Sequence, residues 1–177
     1  RRDVAREAPH GLERGLSGGG VLENPALSPH NPNEIYLATD MTQVFHSKDL
    51  GASWDSYGFN ELITSNKENG VQFTSDPMVL FALDADNLAF PTPARSTDAG
   101  ATWHRAGTAE FPSTWSATEQ AWRLFADPDS AGRMVVGTTD EIYLSIDGGA
   151  TFTSVYTYTG TINVGQKKGL HVAGAHF

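Results

Sequence analysis

Apolar and polar positions along this chain come in short bursts, each closed by turn-forming residues. The first set reads Ala26-Leu27-Ser28-Pro29, Glu34-Ile35-Tyr36-Leu37-Ala38-Thr39-Asp40 and Gln43-Val44-Phe45-His46. The second reads Phe73-Thr74-Ser75-Asp76-Pro77, Met78-Val79-Leu80-Phe81-Ala82-Leu83-Asp84 and Leu88 onward to Arg95. The third reads Leu124-Phe125-Ala126-Asp127-Pro128, Arg133-Met134-Val135-Val136-Gly137-Thr138-Thr139-Asp140 and Ile142-Tyr143-Leu144. Runs this short, rich in β-branched and aromatic residues and bounded by Pro, Gly, Asp and Ser, predict strands. Helical signals are sparse, and the pattern predicts only a short helix near Thr118–Arg123.

After the third strand of each set stands one eight-residue segment, which we term a box. The three boxes run Ser47-Lys48-Asp49-Leu50-Gly51-Ala52-Ser53-Trp54, Ser96-Thr97-Asp98-Ala99-Gly100-Ala101-Thr102-Trp103 and Ser145-Ile146-Asp147-Gly148-Gly149-Ala150-Thr151-Phe152. Their first residues are 49 positions apart in both intervals. An aspartate here accepts hydrogen bonds from amides a few residues on and closes a turn. The glycine permits a positive φ where the chain reverses. The final Trp or Phe is an apolar plug for the turn. A repeat of 40–50 residues with this content predicts four-stranded blades, with strands A, B and C, the box turn, then strand D.

The S-x-D-x-G-x-S/T-aromatic pattern resembles the Asp-box, or bacterial neuraminidase repeat. That motif occurs in sialidases, sortilin-type receptors, xyloglucan-cleaving glycosidases and photosystem assembly factors. The resemblance implies an all-β fold, a β-propeller of Asp-box blades. An N-terminal extension over 1–17 would precede blade 1 at about 18–58, blade 2 at about 70–107, blade 3 at about 119–157 and the first strand of a fourth at about 169–177. Propellers close with 4–8 blades, so about three and a half blades make an arc. The expected partner is a second chain or a second copy completing a ring, seven-bladed if two copies join; a truncated sequence is the other explanation.

Composition narrows the partners further. A formal charge of −9 argues against a nucleic-acid partner. No apolar run approaches the roughly 20 residues that span a bilayer, so no membrane insertion is expected. Without cysteine there are no disulfides. His30, His46, His104, His171 and His176 show no metal-ligand spacing, so neither metal nor cofactor is expected. The chain opens on Arg1-Arg2 without Met, as a processed or recombinant product would. A secreted, periplasmic or cell-surface location is expected.

Up-and-down topology places A–B and box turns at one end of each blade, and B–C turns and D–A loops at the other. The boxes are then structural, through Ser47, Asp49, Gly51, Trp54, Ser96, Asp98, Gly100, Trp103, Ser145, Asp147, Gly149 and Phe152. The ligand end would carry Asp40, Asp84 and Asp140 at equivalent B–C positions, with Glu61, Phe111, Trp115 and Glu119 from the D–A loops. Aromatics set among carboxylates suit sugar rings, so a carbohydrate is a possible ligand. Each group also has a plainer role, as a turn residue, an interblade plug or a solvated charge.

Within the resembling families, sialidases carry a Phe/Tyr-Arg-Ile-Pro motif that is absent here. Arg95, Arg105, Arg123 and Arg133 lack that context. The xyloglucan-cleaving enzymes are closer over about residues 17–54. Ser17-Gly18-Gly19-Gly20, Pro29, Ile35-Tyr36-Leu37-Ala38-Thr39-Asp40, Phe45 and the first box follow their order. That resemblance implies a catalytic carboxylate at Asp40, although Met41-Thr42-Gln43 replaces their usual Ile/Val-Gly-Gly and their second propeller is missing. Two readings follow: a non-catalytic propeller that binds a glycan or protein ranks first, and a glycoside hydrolase is the alternative.

Overall fold

The computed structural model describes residues 21–41, 43–58, 60–64, 70–85, 91–115 and 121–159. The first sheet holds β1 (Leu22–Leu27), β2 (Ile35–Thr39), β3 (Val44–Ser47) and β4 (Asp55–Ser56). The second holds β5 (Gln72–Phe73), β6 (Leu80–Asp84), β7 (Thr92–Ser96) and β8 (His104–Arg105). The third holds β9 (Arg123–Ala126), β10 (Met134–Gly137), β11 (Glu141–Ser145) and β12 (Thr153–Thr157). Every pairing is antiparallel between chain neighbours, so each sheet is a meander in sequence order. Arg123 begins β9, and Trp122 extends it by donating its amide to Gly137 O, 2.8 Å away. The described part of the expected helix is therefore extended. Residues 118–120, the N-terminal extension and the expected fourth-blade strand lie outside the described residues.

The sheets stack through their side chains, as two apolar clusters show. Tyr36 and Val44 of blade 1 meet Leu62, Val71, Leu80, Ala82, Ala94 and Trp103. On the opposite face of blade 2, Phe81 and Leu83 meet Phe111, Trp115, Leu124, Met134 and Val136. All five residues of β6 are buried because neighbouring blades cover both faces of that sheet. The physical counterpart in sequence is the unbroken run Met78–Leu83, where a one-sided strand would alternate. The outer blades do alternate. On blade 1, Ile35, Leu37 and Phe45 stay half-exposed on the face away from blade 2. Phe125, Val135 and Leu144 do the same on blade 3.

The three boxes fold alike. In each, the first serine accepts a 2.8 Å bond from the glycine amide four residues on (Gly51, Gly100 and Gly149). The aspartate accepts from that serine's hydroxyl and from both the amide and hydroxyl of Ser53, Thr102 or Thr151. For Asp49, the Ser53 hydroxyl and amide hold the carboxyl below its usual range. An amide within each box also bonds the A–B turn: Leu50 to Asn33 O, Ala99 to Met78 O and Gly148 to Gly132 O. Box and A–B turns thus share one end of every blade.

The aromatic plugs differ by position. Trp103 packs edge-on to Tyr57 of the preceding blade, and Phe152 packs edge-on to Trp115. Among the described residues no blade precedes the first, and there the Trp54 indole folds onto its own turn, donating to Gly51 O at 3.0 Å.

Candidate functional site

The B–C end does not align the three aspartates. Ile35, Leu80 and Met134 pair with the box serines Ser47, Ser96 and Ser145. Counted from those residues, Asp84 stands level with Thr39 and Thr138, while Asp40 lies one position further on and Asp140 two. The equivalent positions expected from sequence are therefore offset, because the B–C turns differ in length.

Burial follows register. Thr39 and Thr138 use their hydroxyls to close their own turns, accepting from Gln43 N at 3.2 Å and Glu141 N at 3.0 Å. Asp84, on that same inward-facing row, is 4% exposed. It accepts from Arg105 Nε on β8 at 2.6 Å and from the Ile63 amide at 3.4 Å. Asp84 thus holds strand D and the following loop to strand B and is not presented as a surface ligand group. Asp40 is exposed and accepts from Val21 N at 2.8 Å, joining the B–C turn to the start of strand A. Asp140 is exposed, and its carbonyl accepts from Tyr158 N at 2.6 Å. Replacing Asp84 by alanine removes one carboxylate bond from a half-exposed guanidinium and another from a buried amide. The expected loss is about 2 kcal/mol, below the 3–5 kcal/mol of a fully buried pair because Arg105 is 34% exposed. Asp40→Ala is expected to cost less than about 1 kcal/mol. Urea denaturation of both variants checks the contrast.

Phe111 and Trp115 were expected at the ligand end as D–A loop residues. Both are buried between blades 2 and 3. The segment after β8 turns back toward the box end: Ser113 Oγ donates to Gly149 O at 2.5 Å and Thr114 N to Ala150 O at 2.9 Å. The Phe111 ring then lies against Gly149, with the Arg95 guanidinium 4.1 Å from the ring centre. Blade 1 uses the same device, as Tyr57 Oη donates to Gly100 O at 2.6 Å. No fixed spacing from the box marks Tyr57 or Phe111, so sequence could not assign them to this plug. Glu119 lies outside the described residues.

Glu61 accepts from Gly58 N at 2.6 Å and lines a cavity of about 200 Å³ with His46, Lys48, Asp55, Tyr57 and Gly100. The cavity sits where the outer strand of blade 1 meets the second box, and its lining includes none of the B–C aspartates. On its wall His46 stacks on Tyr36, with centroids 4.0 Å apart, and bonds Glu34 Oε1 at 2.9 Å. Burial pushes the imidazole below its ordinary range, against the opposite pull of Glu34 and Asp55 and with that of Lys48. The neutral ring is therefore favoured in the fold. Its stabilising contribution is full above the unfolded value near 6.5 and declines as pH falls toward the lower folded value. The denaturation midpoint is expected to drop from pH 7.5 to 5.5, with His46→Gln reducing that drop.

Trp122 was not among the sequence-derived site residues. It is half-exposed at the B–C end of blade 3, and its Nε1 donates to Thr139 Oγ1 at 3.1 Å. Among the described residues no cluster of His, Asp or Glu could hold a metal ion.

Three four-stranded meanders, packed face to face in chain order and latched through the next blade's turn, define part of a β-propeller. No family model and no curated protein matches the chain. Solved structures do. YCF48 from Cyanidioschyzon merolae is 23% identical, with a TM-score of 0.56 over 80% of this chain and 39% of that one. A second YCF48 structure, bound to D1 peptide, is 14% identical, with a TM-score of 0.52 over 77% of this chain and 40% of that one. An ancestral GH74 enzyme is 17% identical, with a TM-score of 0.58 over 82% of this chain and 19% of that one. This chain therefore spans two fifths or less of these β-propellers, and the likeness is one of fold.

Proposed function

We propose that this chain is an arc of an Asp-box propeller that binds a glycan or a protein without cleaving it, its ring completed by a second chain, a second copy or further repeats. The observation that carries the non-catalytic reading is the register of the B–C aspartates. A glycoside hydrolase needs two carboxylates flanking one bond, about 5–9.5 Å apart. Here Asp84 is committed to Arg105, and the exposed Asp40 and Asp140 stand at different levels of different blades. The peptide-bound YCF48 neighbour supports a protein-partner version. Ring completion is supported by the half-exposed apolar faces of blades 1 and 3.

The GH74 neighbour and the exposure of Asp40 favour the second reading, a glycosidase using that carboxylate. Reducing-end release from β-glucans separates the two. No release by the wild type is expected, and release that Asp40→Asn abolishes would establish the hydrolase. Light scattering of the purified chain tests completion, with self-association expected and its weakening by Leu37→Glu or Val135→Glu.

A further inference from the structure

We propose that Tyr156 on blade 3 is a latch for the first box of a second copy of this chain, where it takes over Gly51 O from the Trp54 indole. The inference rests on the ring-completion part of the reading above and names the partner and the contact. Each box glycine carbonyl accepts a side-chain bond. Tyr57 Oη of blade 1 reaches Gly100 O at 2.6 Å, and Ser113 Oγ of the segment after β8 reaches Gly149 O at 2.5 Å. Both donors come from the preceding blade. Of the three, only Gly51 O is bonded from within its own box, by Trp54 Nε1 at 3.0 Å.

Strand register shows what blade 3 offers in return. Counted back from the box serines Ser47 and Ser145, Val44 and Ile142 are equivalent. Tyr57 N bonds Val44 O, and Tyr156 pairs with Ile142, so Tyr156 occupies the place of Tyr57. Tyr143 packs against Trp115, toward blade 2, and its strand neighbour Ile142 therefore points away from blade 2. Cross-strand partners share a face, which puts Tyr156 on that outer face with Ile142. The rest of β12 agrees: Ser154 and Thr157 both bond Glu141 Oε1 at 3.1 Å, on the face of Tyr143. Tyr156 is 49% exposed.

The outer faces of blades 1 and 3 repeat the two sides of the joints already made. Leu37 and Phe45 pair on the half-exposed face of blade 1, and their blade 2 equivalents, Ala82 and Ala94, are buried against blade 1. Phe125 and Val135 of blade 3 stand where Ala26 and Tyr36 of blade 1 pack toward blade 2. Blade 3 of one copy thus presents the donor side of a joint, and blade 1 of the next its acceptor side. Head-to-tail contacts of this kind make rings when the rotation closes. Two copies supply six described blades, within the 4–8 at which propellers close. In both existing joints the box aromatic reaches back to the preceding blade: Trp103 to Tyr57, with centroids 6.4 Å apart, and Phe152 to Trp115, 4.9 Å apart. Trp54, released from its own turn, packs on Tyr156 in the same way. The exchange swaps one donor on Gly51 O for another, so the apolar faces drive association and the tyrosine sets its register.

Sedimentation and tryptophan fluorescence of the purified chain over a wide concentration range test the latch. Self-association is expected, with a fluorescence change that Trp54→Phe removes. Tyr156→Phe deletes only the hydroxyl and should weaken association roughly two- to tenfold, and Tyr156→Ala should weaken it more. Trp54→Phe should tighten association severalfold, because phenylalanine cannot donate to Gly51 O; Phe152 stands at the same box position in blade 3. Denaturation midpoints at low concentration establish that the variants fold. Self-association that Leu37→Glu abolishes, but that both Tyr156 variants leave unchanged, overturns the latch and keeps completion by a second copy. A wild type that stays monomeric overturns the latch and the second copy together, leaving those faces to a different chain or to further repeats. Glycan or protein binding by the arc is decided separately from either result.

Discussion

Gly149→Ala is expected to lower stability by roughly 2–5 kcal/mol, enough to unfold a large share of a protein of ordinary stability. Two effects add. Gly149 has φ +87°, where an L side chain is strained by roughly 1–2 kcal/mol. The added Cβ would also lie 2.5 Å from Phe111 Cζ and 3.3 Å from Met134 Cε. Both side chains are fully buried, so relief means repacking the joint between blades 2 and 3, roughly another 1–3 kcal/mol. Gly107→Ala separates the two effects. Its φ is +88°, yet nothing lies within 4 Å of an added Cβ. It should therefore show only the backbone strain. Gly100→Ala should resemble Gly149→Ala, because its Cβ would collide with the Tyr36 hydroxyl and approach that of Tyr57 to 3.0 Å. Chemical denaturation midpoints of the three variants check the ranking, and equal losses for Gly107 and Gly149 would refute the packing share.

Phe81→Ala is expected to cost about 3–5 kcal/mol. Phe81 is 0% exposed, at the centre of the core between blades 2 and 3. Neighbouring blades cover both faces of its sheet, so the surroundings cannot collapse into the space without moving two blades. Phe125→Ala is the comparison, since that ring is half-exposed on the far face of blade 3. It should cost well under half as much in the isolated chain, and more once a neighbouring blade covers that face.

The strand pattern and the boxes were legible because their causes are local. A box serine and its glycine are four residues apart and close their turn without outside help. The site was less legible. Asp40, Asp84 and Asp140 look alike in sequence, each ending a B run with a turn residue. Their burial depends on counting from the residue paired with the box serine, and only strand register supplies that count. Phe111 and Trp115 read as loop aromatics, yet they fill space that exists only once blade 3 has docked. Trp122 falls within the segment read as a helix, so its place at the blade end could not be seen.

Alone, the sequence determined the unit: a four-stranded meander closed by a self-bonded turn, repeated three times. Those interactions span a few residues and recur at one period. Tertiary structure decided everything between units: which aromatic plugs which glycine, which aspartate is buried against an arginine, and which tryptophan remains at the surface. These outcomes follow from contacts between residues tens of positions apart, set by how each sheet stacks on the next, and no local pattern encodes that distance.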